Sequence, residues 1–169
     1  MANTAVLKPK SRDVSVKTGL SDKYCADMAN SLSAILASTY HLVIKSHIYH
    51  WNVVGPLFKP LHELTEEHYN TLFEATDIVA ERIRALGHLA PAHIGDAAKF
   101  APSNRDFSQL TAEDMVLDLI ADHEAACRAM REAGTSADEN GDLVTTDMLT
   151  DRLTFHEKAL WMLKAIIAK

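Results

Sequence analysis

An all-α fold of four long helices follows from three features of this sequence. Apolar residues recur at three- and four-residue spacing through four long stretches. Glycine and proline number only six and five in 169 residues, and most fall between residues 55 and 102 rather than at the regular short intervals of a many-stranded β fold. Helix start and stop residues (Ser21, Gly55–Pro56, Gly87, Thr111) punctuate the stretches where the periodicity begins and ends.

The first helix is expected from a Ser21 N-cap to Val53, with Met28, Leu32, Ile35, Leu42, Val43 and Tyr49 on its apolar stripe. It is apolar on more than one face from Ala29 to Trp51, which implies partners beyond its own core. The second is expected over 60–86, with Leu61, Leu64, Leu72, Ala75, Val79, Ile83 and Leu86 inward and Gly87 as its stop. Residues 88–110 form a long connection with one short helix expected near 94–100. Thr111-Ala112-Glu113-Asp114 caps the third, which carries Met115, Leu119, Ile120, Cys127 and Met130 and is expected to end near Gly134, leaving TSADENGD as a loop. The fourth is expected from about Thr145 to Ile167. Four long helices, one long crossover and no internal repeat correspond to a ferritin-like four-helix bundle.

Composition narrows the class further. With 47% hydrophobic and 24% charged residues the chain reads as one soluble domain with a sizeable core. The N-terminal MANTAVLKPKSRDVSVKTGL has no apolar h-region, and no run reaches the roughly 18 apolar residues of a membrane span, so neither secretion nor a membrane is expected and the cytoplasm is the default. Cys25 and Cys127 lack metal or redox spacing and read as small buried hydrophobes. Charge divides the chain in two. Lys8, Lys10, Arg12 and Lys17 against Asp13 give residues 1–20 a net +3, whereas the chain totals −6. Residues 1–20 are therefore expected to be a flexible basic tail and 21–169 the bundle. The tail is either a solubilising extension or a phosphate-binding arm.

The chemistry gathers on the second helix. At 100° per residue, His62, Glu66, Asp77 and Glu81 fall within about 100° of one another, opposite the core stripe, with Tyr69 and Phe73 in the same sector. His62 and Glu81 nevertheless stand about 28 Å apart along one helix, too far for one metal to bridge. A second chain resolves the difficulty. Positions 62 and 81, and likewise 66 and 77, are symmetric about the midpoint between residues 71 and 72, so two copies of this helix packed antiparallel on a two-fold axis bring His62 and Glu66 of one to Asp77 and Glu81 of the other. His50, across the Gly-Pro turn, can complete the cluster. Two imidazoles with three carboxylates suit iron, zinc or manganese in the divalent state. No Glu-x-x-His occurs in the chain, which argues against the usual intrasubunit di-iron site of such bundles.

HWNVVGPLFKPLHELTEEHY, followed by Asp77-Ile-Val-Ala-Glu81-Arg-Ile-Arg-Ala-Leu-Gly87 and later His156-Glu-Lys-Ala-Leu-Trp161, resembles the Dps family of mini-ferritins over essentially all of 21–169. The resemblance implies a hollow homododecamer whose ferroxidase centre, at the two-fold interface, takes His50, His62 and Glu66 from one subunit and Asp77 and Glu81 from the other. Many members carry Asp where Glu66 stands, and its longer arm bears on the second iron position. Trp51 matches the aromatic beside the centre that intercepts oxidising equivalents. The implied substrates are Fe(II) and, preferably, hydrogen peroxide, the product is a stored ferric mineral, and zinc is a substitute in the same site. Not every member binds DNA; here the candidate contacts are Lys8, Lys10, Arg12 and Lys17, and nucleoid association depends on them. The alternatives are an iron-storage particle that does not bind DNA and a structural nucleoid-compacting protein with little ferroxidase activity. His41 and His47, near His50, read either as an accessory site or as packing histidines.

Asp138, Glu139, Asp142 and Asp147 crowd the turn before the fourth helix. Capping explains part of that cluster, and three such segments on a three-fold axis would concentrate cations. The resemblance implies an acidic iron-entry pore here, with Asp138 and Asp147 at matching positions and Asp142 close by.

Overall fold

The computed structural model describes residues 16–91 and 106–168. Among them are four helices and no strand: α1 (Asp22–Asn52), α2 (Phe58–Ala85), α3 (Ala112–Glu139) and α4 (Leu143–Ile166). The short helix expected near 94–100 lies outside the described residues, as do Lys8, Lys10 and Arg12; Lys17 is exposed. No helix is long and apolar enough to cross a membrane.

Local chemistry sets the ends of each helix. The Ser21 hydroxyl accepts the Tyr24 N–H at 3.2 Å to start α1. Thr111 and Asp114 form a reciprocal capping box on α3. Gly55 and Gly87 adopt left-handed φ of 85° and 92° where α1 turns into α2 and where α2 ends, a conformation that costs glycine nothing.

The third helix departs from expectation. It runs through Gly134 to Glu139, and the expected TSADENGD loop shrinks to the turn around Asn140 and Gly141, whose φ of 72° makes it the actual stop. Ala133 and Ala137 carry the buried stripe of Met130 one turn further than large apolar residues alone would indicate. Gly134 lies inside the helix facing α4, where a Cβ would make an ordinary contact with Leu149 Cβ at 3.8 Å, so close packing does not demand glycine there.

The bundle is two antiparallel pairs, α1 with α2 and α3 with α4, joined chiefly where α1 meets α3. Leu32, Leu61, Ile83, Leu119, Leu149 and Leu163 are fully buried at its centre. Cys25 and Cys127 are buried free thiols, as expected of small hydrophobes. Several large apolar side chains face outward instead, among them Trp51 at the end of α1, Phe58, Phe73 and Ile78 on α2, and Trp161 near the end of α4.

Candidate metal centre

The end of α1 is anchored before the chain turns. Lys45 is buried and ion-paired to Asp118, at 2.7 Å, and to Asp122, both on α3. The Tyr49 hydroxyl donates to Asp118 at 2.6 Å. These contacts fix the last turn of α1, and the tight connection at Gly55 brings the start of α2 back beside it.

That return places His50 against His62. Their rings stack with centroids 3.7 Å apart and planes 17° from parallel. Nδ1 of His50 lies 2.9 Å from the His62 carbonyl oxygen, and Nδ1 of His62 lies 2.8 Å from the His50 carbonyl oxygen. A carbonyl can only accept, so each Nδ1 carries the proton and donates. In the neutral ring this tautomer puts the lone pair on Nε2, the nitrogen from which such an imidazole binds a metal. Backbone carbonyls thus do for these rings what outer-shell partners do in metal sites, fixing tautomer and orientation together.

Glu66 is exposed one turn along α2. Tyr69 connects it to the imidazoles: its ring meets His50 edge-on at 5.4 Å and stacks on His47 at 3.9 Å. Burial, and then the neighbouring Glu66 carboxylate, push the Tyr69 hydroxyl's pKa above its usual value. His47 also lies 5.4 Å from Trp51, which is 68% exposed, and Phe58 lies 5.1 Å from His62. His47 therefore packs among aromatics, while His41 is half-buried over α3 and its pKa is lowered, by burial first and by Lys45 second.

Asp77 and Glu81 are exposed on the same outward face of α2, about 16 Å and 22 Å further along the axis than Glu66. Within one chain, the described residues contain no group of three or more His, Cys, Asp or Glu side chains able to hold a metal ion. A single copy joins His50 to His62 beside Glu66 and leaves Asp77 and Glu81 apart.

At the α3–α4 turn the acidic residues divide. Asp138 and Asp147 are exposed, next to the exposed Leu143 and Val144. Asp142, expected beside the pore, is instead 3% exposed and fully engaged. It accepts from the Tyr24 hydroxyl at 2.9 Å, Arg82 at 2.7 Å, the Thr145 N–H at 3.0 Å and the Thr145 hydroxyl at 2.6 Å. Burial alone would raise its pKa, but the bonds from Thr145, Arg82 and Tyr24 outweigh it and hold the carboxyl below its usual value. Its role is to tie α1, α2 and α4 together, and a carboxylate so enclosed has no free oxygen to offer a passing cation.

Sequence reasoning passed over three further histidines. His68, His123 and His156 are all buried in the bundle core. Their phase carried the signal: His68 lies midway between Leu64 and Leu72, and His123 between Ile120 and Cys127, on the buried stripes.

Comparison with known proteins agrees with this architecture. The ferritin-like domain family matches residues 29–169. A low temperature-induced protein of Nostoc sp. is 38% identical over 90% of this chain and 86% of its own length. DNA protection during starvation protein 1 of Deinococcus radiodurans is 33% identical over 88% of this chain and 72% of its own. The structure of Dps from Thermosynechococcus elongatus superposes with a TM-score of 0.80 at 32% identity, covering 87% of this chain and 94% of that one.

Proposed function

The chain belongs to the ferritin-like family and within it to the Dps group, and from that premise we propose that it oxidises Fe(II) with hydrogen peroxide at centres shared between two copies and stores the ferric product inside a homododecamer. His50, His62 and Glu66 of one copy and Asp77 and Glu81 of the second form each centre. The reciprocal bonding of His50 and His62 carries this reading, because it commits both Nδ1 atoms to backbone carbonyls and leaves Nε2 as the atom from which each of the two stacked rings would hold a metal. The exposed Phe73 between the two halves of the ligand set gives the two-fold contact its apolar core.

The donor set suits the chemistry. Neutral imidazoles hold Fe(II) without adding charge, and three carboxylates favour the more highly charged Fe(III) product. Two Fe(II) ions each give one electron to one peroxide molecule. The O–O bond breaks, two protons are taken up, and both oxygens leave as water, so no hydroxyl radical is released. Trp51, exposed beside the site, is placed to supply an electron when only one iron is bound. Asp138 and Asp147 line the entry pore on the three-fold axis; Asp142 does not take part.

The basic tail, residues 1–20 preceding the bundle of 21–169, binds DNA phosphates through Lys8, Lys10, Arg12 and Lys17, a contact that weakens as salt rises. Anomalous scattering at the iron and zinc edges, from crystals soaked in either metal, tests the centre directly. Peaks between His50, His62 and Glu66 of one copy and Asp77 and Glu81 of the next are expected. Metal confined to other positions, or α2 facing solvent at Phe73, would overturn the assignment.

A further inference from the structure

Beyond the iron chemistry, an unusual group lies at the centre of the bundle. His123 on α3 and His156 on α4 are 0% and 1% exposed, and their Nδ1 atoms face each other at 2.9 Å. One must donate and the other accept, so this contact requires at least one bare ring nitrogen. Nε2 of His123 is buried with no hydrogen-bond partner. The His68 ring from α2 closes the group edge-on to His123 at 5.4 Å, and Phe155 packs against His68, His123 and His156.

From this geometry we infer that the His123–His156 contact is an acid-sensitive latch between α3 and α4, closed while the pair holds no more than one extra proton and opened by the second. The first added proton can be shared across the 2.9 Å contact, since an imidazolium N–H still donates to a bare imidazole nitrogen. The second leaves two N–H groups pointing at each other and two positive charges in an apolar core. The hydrogen bond is then lost, and the two like charges facing each other in the core drive α3 and α4 apart.

The surrounding charges do not relieve that strain. Arg152, on α4, is the leading charge acting on His156 and disfavours protonation; the neighbouring His68 acts in the same direction on both rings. Glu67 and Lys158, which bear on His68, pair with one another at 3.5 Å. The buried charge on α1, Lys45, faces Asp118 and Asp122. Burial, the largest cause, lowers the pKa of His156 to about 4 and that of His123 well below its ordinary value. An imidazole whose folded pKa lies below its unfolded one favours the folded state fully above the unfolded value of about 6.5. As pH falls from there towards about 4, each such group shifts the balance to the open state by up to tenfold per pH unit, and the pair by up to a hundredfold.

The test follows helix content and particle mass of the full-length protein between pH 7.5 and 3.5, for the parent, His123→Leu/His156→Leu and His156→Asn. The parent should open steeply, and both variants should open at least one pH unit lower with a shallower transition. The same midpoint and steepness in all three would overturn the latch. Should the leucine variant fail to fold, histidine C2-hydrogen exchange read by mass spectrometry on the parent alone decides the matter. Values for His123 and His156 well below 6 support the inference, and ordinary values in the intact particle refute it.

Discussion

Two histidine pairs in this molecule are built from the same kind of ring and put to opposite uses. In His50–His62 the rings stack, and each Nδ1 turns to a backbone carbonyl of the other residue, so both rings keep a free Nε2 at a half-exposed site. In His123–His156 the rings bond to each other inside the core, and an unpartnered nitrogen is sealed from solvent. A carbonyl partner dictates the tautomer; an imidazole partner leaves it open. The acceptor opposite each ring thus decides whether an imidazole is prepared for a metal or committed to joining helices.

The contrast breaks most decisively at the outer pair. Replacing His50 and His62 together by alanine should slow peroxide-dependent Fe(II) oxidation by about a hundredfold or more, the scale of losing ligands rather than their supports. Particle mass and acid-unfolding midpoint should stay at the parental values. An unchanged initial rate in an assembled variant would remove the outer pair from catalysis.

The carboxylates sharpen the same rule, since partners separate Asp142 from its neighbours. Asp142→Asn leaves the partly buried Arg82 without its countercharge and the polar groups around a buried position 142 imperfectly matched, and should cost about 3 kcal/mol in denaturant unfolding. Because the Asp142 pKa is held low, its contribution is complete above the unfolded value of about 3.9 and declines only as pH falls through the folded one. Acid should therefore reach the buried imidazoles before it reaches this clamp. Asp138→Asn with Asp147→Asn should leave stability within about 0.5 kcal/mol, as befits exposed sites, while slowing mineralisation a few-fold at low Fe(II) and low ionic strength. Parental mineralisation rates under those conditions would return both residues to helix-end roles.

The smallest effect on the particle itself is expected from the tail. Deleting residues 1–17 should abolish retardation of duplex DNA in gels and leave iron oxidation untouched. Retained retardation at moderate salt would assign DNA binding to another surface.

The sequence made the helices legible because their caps are chemical: Ser21 and Thr111 do what such residues do at helix starts, and Gly87 ends α2 as its conformation requires. It misled at α3, where Gly134 and the small polar residues after it imitate a stop while Ala133 and Ala137 keep the buried phase. The outward set on α2 could be read from angle alone, yet the Nδ1–carbonyl exchange between His50 and His62 depends on how tightly the turn closes, which no spacing encodes. Asp142 escaped because the residues that enclose it, Tyr24 and Arg82 above all, lie far away in sequence, whereas the core histidines were marked by their phase on the buried stripes.

The chain contains only two tryptophans, Trp51 and Trp161, and they stand 68% and 69% exposed on different parts of the surface. Each is a fluorophore wetted in the isolated subunit. Packing between copies should dry them and move their emission to shorter wavelength, and Trp161→Phe leaves Trp51 as a lone reporter beside the iron site. Ferric ion there should quench that lone emission, so a single optical trace would time subunit association first and metal arrival second, with no dye attached.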